Sequence, residues 1–214
     1  ESMSGFTTTG ATVLLDIEVV PKSLLVWRSM THWLGGMGVI ALAVAIFPYL
    51  GVGAYQLFKA EVPGPSKDRI SPRIADTSKI LWLVYLILTG AETGLLMIGG
   101  LSFFEALTTT FGTMATGGFA VKNASIAAFP SPYVQYVIAL FMLLAGANFT
   151  LHYAALRGRL GGYLRDPEFR FYLCVILAAT VGLSLLRLAS GEVLGEALVR
   201  GSVFTTISIV TTTG

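Results

Sequence analysis

The stretch Thr7-Thr8-Thr9-Gly10 recurs in this chain as Met114-Ala115-Thr116-Gly117 and again as Thr211-Thr212-Thr213-Gly214. The final glycines of successive copies are 107 and 97 residues apart. Threonine favours extended backbone and carries a hydroxyl, whereas glycine allows backbone angles that turn a carbonyl group toward an axis. Several such strands around one axis can replace the hydration shell of a small cation. The repeat therefore predicts an ion-binding filter.

The composition around these copies is that of a membrane protein. Hydrophobic residues make up 54% of the chain and charged residues 12%, and the mean hydropathy is +0.75. A soluble domain usually has about 25% charged residues. We therefore expect an all-α integral membrane protein. The single cysteine, Cys174, excludes a disulfide within the chain.

The apolar stretches fall into two length classes. Two short ones, Phe103–Met114 and Val193–Val210, each run directly into a Thr/Gly copy, and Glu1–Phe6 is expected to be the end of another. Runs of about 10–14 apolar residues are more often re-entrant or buried than spanning. Longer stretches reach the roughly 20 residues that a membrane-spanning helix needs, and they are Leu24–Leu50, Ile80–Leu101, Tyr133–Leu156 and Phe171–Ala189.

The order of these stretches predicts a repeated unit of helix, pore hairpin and helix (M1-P-M2) around a central, potassium-channel-like pore. We expect residues 1–50 to be the end of a first repeat, residues 80–156 a complete second repeat, and residues 171–214 the start of a third. The segments 51–79 and 157–170 are then linkers on the cytoplasmic side. The chain is expected to be the central fragment of a longer protein.

The basic residues favour this orientation. The two linkers together contain nine of the lysines and arginines, and the opposite side contains five. Since cytoplasmic loops are enriched in lysine and arginine, the linkers are predicted to be cytoplasmic and the Thr/Gly copies to open to the outside.

Five stretches resemble the Trk/Ktr/HKT superfamily of potassium transporters, and most closely its bacterial Trk type. The similarity covers essentially the whole chain, and the five stretches together are highly specific. They are Gly5–Thr12, Trp27–Gly38 (WRSMTHWLGGMG), Gln56–Pro65 (QLFKAEVPGP), Ala145–Phe149 (AGANF) and Arg200–Thr206 running into Thr211–Gly214.

The resemblance implies four repeats around one pore, of which the fourth is not in this chain. It implies that Gly10, Gly117 and Gly214 are the filter glycines. Family members with serine at the first of these positions tend toward sodium, so Gly10 implies potassium. The potassium ion would be bound mainly by backbone carbonyls of Thr8, Thr9, Ala115, Thr116, Thr212 and Thr213.

The resemblance also implies the setting of such a subunit. It would be a multi-pass homodimer in the lipid of the inner (cytoplasmic) membrane, with no bound organic cofactor and no nucleic acid. A cytosolic nucleotide-binding subunit of the RCK type would gate it. The residues expected to face this subunit are Lys67, Arg69, Arg73, Arg157 and Arg159.

Two alternative functions differ in class. Within transport, the alternative is a sodium-selective or mixed monovalent cation transporter. Outside transport, it is an intramembrane enzyme, but the sequence contains no G-x-S-x-G, H-E-x-x-H or paired-carboxylate motif. The chain is therefore predicted not to be an enzyme. Glu92 is expected to be a buried structural site rather than part of the ion path, and His32 and His152 to be structural rather than metal ligands.

Overall fold

The computed structural model describes residues 1–38, 74–159 and 161–214. All regular structure within these ranges is helical, which confirms the expected all-α class. A π-helical turn, Leu34–Gly38, follows the second helix, and a 3-10 turn, Ser125–Ala128, precedes the fifth. The α-helices are α1 (Ser2–Phe6), α2 (Lys22–Trp33), α3 (Ile74–Ile98), α4 (Phe103–Met114), α5 (Pro132–Ala145), α6 (Phe149–Leu156), α7 (Gly161–Arg165), α8 (Pro167–Ala189) and α9 (Glu196–Val210).

Two of the described helices are long and apolar enough to cross a membrane. They are the Ile80–Ile98 part of α3, with a mean hydropathy of 1.8, and α8, with a mean hydropathy of 2.0. The predicted span Leu24–Leu50 begins as α2, but its part beyond Gly38 lies outside the described residues. The linker residues Lys67, Arg69 and Arg73 lie outside them too.

The stretch Tyr133–Leu156 is not one straight helix, contrary to expectation. It consists of α5 and α6, which meet at an angle of 104° across the break at residues 146–148. Asn148 begins α6 as its N-cap, because its side-chain oxygen accepts hydrogen bonds from the amide and hydroxyl of Thr150 at 3.0 and 2.8 Å. An N-cap of this kind starts a new helix and so ends the previous one.

Two carbonyl groups beside this break have side-chain partners. The hydroxyl of Tyr172 donates to the Leu143 carbonyl at 3.2 Å, and Nε2 of His152 lies 2.8 Å from the Leu144 carbonyl. A Cβ on Gly146 would lie 2.7 Å from the Tyr172 hydroxyl, so glycine is needed for this close approach. Backbone irregularity at membrane depth is tolerated where protein satisfies it in this way.

The helices before the Thr/Gly copies are too short to cross a membrane. The 12 residues of α4 and the 15 residues of α9 span about 18 and 22 Å at 1.5 Å per residue, against a hydrocarbon core of about 30 Å. Ser102 and Glu105 form a capping box that fixes the start of α4. Both helices end directly at a Thr/Gly copy, as expected of a re-entrant segment.

The same packing relation occurs twice. Helix α2 packs against α4, and α5 packs against α9. In both cases the helix after one Thr/Gly copy supports the short helix before the next copy. The core lies between α3, α4, α5 and α9, and its fully buried members include Tyr85, Leu96, Ala106, Val134 and Ile138.

Candidate ion filter

Each Thr/Gly copy forms the loop that follows the C-terminus of a short helix. We call these loops 1 (Thr7–Gly10), 2 (Ala115–Gly118) and 3 (Thr211–Gly214). In every loop the amide of the third residue donates to the carbonyl five positions earlier. These bonds are Thr9 to Ser4 at 3.0 Å, Gly117 to Gly112 at 3.1 Å and Thr213 to Ser208 at 2.9 Å. The three loops therefore leave their helices in the same way.

The second residue of every loop has a strained backbone. Thr8, Thr116 and Thr212 have φ angles of +51°, +51° and +60°. This left-handed region costs an L-residue roughly 1–2 kcal/mol and is unusual for a β-branched side chain. Such strain persists only where the surrounding structure enforces it, and it is concentrated at functional sites. Its occurrence at three equivalent threonines indicates a functional loop.

The fourth residue of every loop is a glycine with a positive φ. The angles are +78° for Gly10, +75° for Gly118 and +88° for Gly214. Gly117 is not among the glycines with a positive φ. The expected equivalence of Gly117 with Gly10 and Gly214 is therefore wrong by one residue, and the equivalent glycine is Gly118. The carbonyls equivalent to those of Thr8 and Thr9 belong to Thr116 and Gly117. The carbonyl of Ala115 is therefore not among the equivalent ones.

The loops lie side by side, and the glycine of one loop approaches a carbonyl of the next. A Cβ on Gly10 would collide with the carbonyl oxygen of Gly117, and a Cβ on Gly118 would collide with the carbonyl oxygen of Thr213. Gly10 and Gly118 are equivalent positions, and so are Gly117 and Thr213. Loop 2 therefore has the same position relative to loop 1 as loop 3 has relative to loop 2, as is expected of strands arranged around one axis.

Loop 2 differs from its neighbours in side chains. In loop 1 the hydroxyls of Thr7 and Thr9 are 2.7 Å apart, and in loop 3 those of Thr211 and Thr213 are 2.8 Å apart. These pairs join the first and third residues of the loop. Loop 2 has alanine and glycine at these positions and cannot form the pair.

The side chains of α2 support loop 2 from behind. The ring of His32 is stacked on Phe119 with centroids 3.8 Å apart, and its Nδ1 accepts the Phe119 amide at 3.3 Å. On the other side the guanidinium of Arg28 lies 3.5 Å from the Phe119 centroid and donates to the Ala120 carbonyl at 2.9 Å. Sequence motifs do not reveal this support, because the contact joins residues 87 positions apart in the chain.

An outer contact joins the segments that follow loops 1 and 2. The Asn123 side chain accepts the Ile17 amide at 2.8 Å and donates to the Asp16 carboxylate at 2.7 Å. The bond from Asn123 lowers the pKa of Asp16, so this carboxylate is ionised at neutral pH. A negative charge on this side attracts cations.

The electrostatics of the loops themselves also favour a cation. Helices α1, α4 and α9 all end at a loop, and a helix C-terminus has a partial negative charge of about half an elementary charge. The loops contain no carboxylate side chain, so the carbonyl groups are the available ligands. Such a site favours a monovalent ion over a divalent one.

Glu92 and His152, the other ionisable residues singled out in the sequence, belong to helices and not to the loops. Glu92 is fully buried in α3, and its carboxylate oxygens have no hydrogen-bond partner among the described residues. His152 bonds to Leu144 in the helix break and to the Tyr163 hydroxyl at 2.5 Å. Across residues 1–38, 74–159 and 161–214, no group of three or more histidine, cysteine, aspartate or glutamate side chains could hold a metal ion.

Comparison with known proteins identifies the family. The family model described as "TrkH: Cation transport protein" matches residues 1–209. The Trk system potassium uptake protein TrkH of Escherichia coli K12 is 46% identical over 218 residues, which cover 100% of this chain and 45% of that protein. TrkG of the same organism is 40% identical over 183 residues, or 85% of this chain and 38% of that protein.

A solved structure shows the same fold. The crystal structure of the potassium transporter TrkH from Vibrio parahaemolyticus has a TM-score of 0.79 and 36% identity, and the match covers 96% of this chain and 42% of that one. The chain thus spans less than half the length of these relatives. The chain belongs to the TrkH family of cation transport proteins.

Proposed function

We propose that this chain forms three segments of a carbonyl-lined selectivity filter through which potassium is taken up across the cytoplasmic membrane. The observation that supports this most directly is the threefold repeat of a left-handed threonine and a left-handed glycine in stacked loops. The relatives' names, which describe potassium uptake, agree with it.

In this proposal a dehydrated potassium ion meets the backbone carbonyls of equivalent loop residues. They are those of Thr8 and Thr9 in loop 1, Thr116 and Gly117 in loop 2, and Thr212 and Thr213 in loop 3. The left-handed threonine turns successive peptide groups so that neighbouring carbonyls can face one axis. The negative ends of α1, α4 and α9 stabilise the ion there at no cost in reorganisation.

A closed ring requires a fourth segment beside loop 3. Gly10 and Gly118 each abut the carbonyl of the next loop. We infer that a fourth segment continues this order after loop 3. The resemblance implies that this segment is a fourth repeat.

The alternative within transport is a sodium-selective or mixed filter. Gly10 supports potassium, since this position has no side chain that would narrow the ring or add a ligand. Family membership places the chain among transporters and not among enzymes.

The flux of two ions tests the proposal. Proteoliposomes containing the full-length protein should take up potassium and rubidium faster than sodium when an electrical gradient drives cations inward. Empty liposomes and liposomes containing the Gly118→Ala variant are the controls. Equal or faster sodium uptake would favour the alternative filter, and the absence of any cation flux would reject a conducting pore.

We further propose that the subunit is a homodimer whose linkers bind a cytosolic nucleotide-binding regulator. The basic residues Arg157 and Arg159 are exposed at the end of α6. The segment from 157 to 170 also contacts the helix break, because Tyr163 bonds to His152. A regulator that binds this linker would therefore act close to the bent helix that follows loop 2.

Cysteine labelling tests both the side of the membrane on which this linker lies and the binding of the regulator to it. In a Cys174→Ala background, Lys122→Cys should react with a membrane-impermeant thiol reagent in intact cells, and Arg159→Cys only in inside-out vesicles. A bound cytosolic regulator should slow the reaction at position 159. Reaction at position 159 from the outside would contradict the orientation, and an unchanged rate with bound regulator would contradict the docking site.

A further inference from the structure

We propose that His32 is a specificity-determining positioning residue, which fixes the backbone of loop 2 and thereby the filter's preference between potassium and sodium. The inference rests on the proposed function. It concerns a residue of α2 that lies outside the three loops.

The ring of His32 fills the place that a side chain on Gly117 would occupy. A Cβ built on Gly117 would lie 2.7 Å from both Cε1 and Nε2 of His32 and 2.9 Å from Cδ2. The equivalent residues of loops 1 and 3 are Thr9 and Thr213, whose hydroxyls bond to the first threonine of the same loop. In loop 2 an external ring replaces that internal pair.

His32 also holds the residue that directly follows the loop. Its Nδ1 accepts the Phe119 amide at 3.3 Å, which requires that nitrogen to be unprotonated. Because the ring is completely buried, loss of this acceptor would leave a buried amide unpaired. His32 and Arg28 are four residues apart on one face of α2, and they enclose the Phe119 ring between them.

Arg28 is itself anchored, so the support is rigid. Its Nε donates to the Glu1 carboxylate at 2.7 Å, and only 7% of its side chain is exposed. Glu1 directly precedes α1, the short helix that leads into loop 1. The positions of loops 1 and 2 are therefore linked through one pair of side chains on α2.

This geometry affects selectivity through the Gly117 carbonyl. That carbonyl lies against Gly10 of loop 1, so a shift of the Gly117 backbone changes the distance between two loops. A ring of carbonyls discriminates between ions of different size only if its members keep their spacing. Removal of the His32 ring would give the Gly117–Phe119 backbone room to move.

The experiment compares three substitutions in the full-length protein. His32→Ala removes both the volume and the acceptor, and we expect the potassium-to-sodium flux ratio to fall about tenfold, a differential of about 1.4 kcal/mol. His32→Leu keeps volume without the acceptor and should give a smaller fall. His32→Gln keeps an acceptor and most of the length, and it should retain most of the wild-type ratio.

A double substitution tests the contact itself. Gly117→Ala should lower the flux ratio because the new methyl group meets the His32 ring, and adding His32→Ala should restore part of the ratio by making room. His152→Ala is the matched control, since His152 is also a buried, hydrogen-bonded histidine but lies in α6, with its side chain on the Leu144 carbonyl. It should leave the flux ratio unchanged.

The outcomes separate this inference from the proposed function. A wild-type protein without potassium preference would reject the function. A wild-type protein with that preference, together with a His32→Ala or His32→Leu variant of unchanged ratio at equal membrane expression, would reject the role of His32. If His32→Ala does not reach the membrane, the flux ratio of the His32→Leu variant decides the question.

Discussion

Potassium uptake should fall at least tenfold when Gly118 is replaced by alanine, in a protein that still reaches the membrane. The φ angle of +75° at this position costs an alanine roughly 1–2 kcal/mol, and the added Cβ would collide with the backbone carbonyl of Thr213. A backbone carbonyl cannot rotate away as a side chain can. Both effects distort loops 2 and 3. Because each 1.4 kcal/mol corresponds to about a tenfold change, their sum is enough for the expected loss of uptake. Rubidium uptake at matched membrane expression measures the loss.

A matched control separates the filter from the general cost of a strained glycine. Gly100 has a φ of +93°, and no described atom lies within 4 Å of its Cβ position. Gly100→Ala carries the same backbone penalty but meets no filter atom, so it should retain most of the uptake. His32→Ala should not rescue Gly118→Ala, whereas it should rescue Gly117→Ala. If it rescued Gly118→Ala, or if Gly118→Ala had wild-type uptake, the register derived from the backbone would be wrong.

The helices were largely predictable from the sequence because their signal is local. The short segment before the second copy was expected to end at Met114, and α4 ends there. The sequence around α4 contains three local signals: an apolar run, a capping serine three residues before a glutamate, and a length below that of a membrane span. The short length of the two segments, and their position directly before a Thr/Gly copy, predicted that α4 and α9 are re-entrant.

The register of loop 2 was not predictable from a four-letter match. The string Ala-Thr-Gly-Gly contains two glycines, and the first matched the Thr-Gly of the other copies. The helix end decides the register, because Thr7, Ala115 and Thr211 each follow the last helical residue. Counting four positions from the predicted helix end would have selected Gly118.

The helix break and the support of loop 2 depend on contacts between distant residues. The run from Tyr133 to Leu156 is continuous in hydropathy, and only Gly146 and Asn148 within it favour a bend. The carbonyls of Leu143 and Leu144 at this bend contact Tyr172 and His152. His32 lies within the Trp27–Gly38 stretch, but the letters there do not show what its ring contacts. Its role is visible only where α2 packs against α4.

The second large effect is expected at Gly10, where serine should lower the potassium-to-sodium flux ratio by about tenfold or more without abolishing membrane expression. Gly10 has a φ of +78° and lies directly against the Gly117 carbonyl, which is one of the proposed ligands. A serine Cβ must displace that carbonyl, and the hydroxyl adds a ligand on a short arm. Both changes narrow the path and disfavour the larger potassium ion more than sodium.

The comparison that decides this prediction uses the same substitution at a second left-handed glycine. Gly191 has a φ of +92°, is exposed, and has no described atom within 4 Å of its Cβ position, so Gly191→Ser adds the same side chain without touching a loop. The flux ratio of Gly191→Ser should equal that of the wild type, while that of Gly10→Ser should fall. A smaller side chain should do less damage because it adds no ligand, so Gly10→Ala is expected to reduce potassium flux with a weaker gain for sodium. Wild-type selectivity in a well-expressed Gly10→Ser protein would show that loop 1 does not discriminate between the ions, and the filter would then have to lie elsewhere.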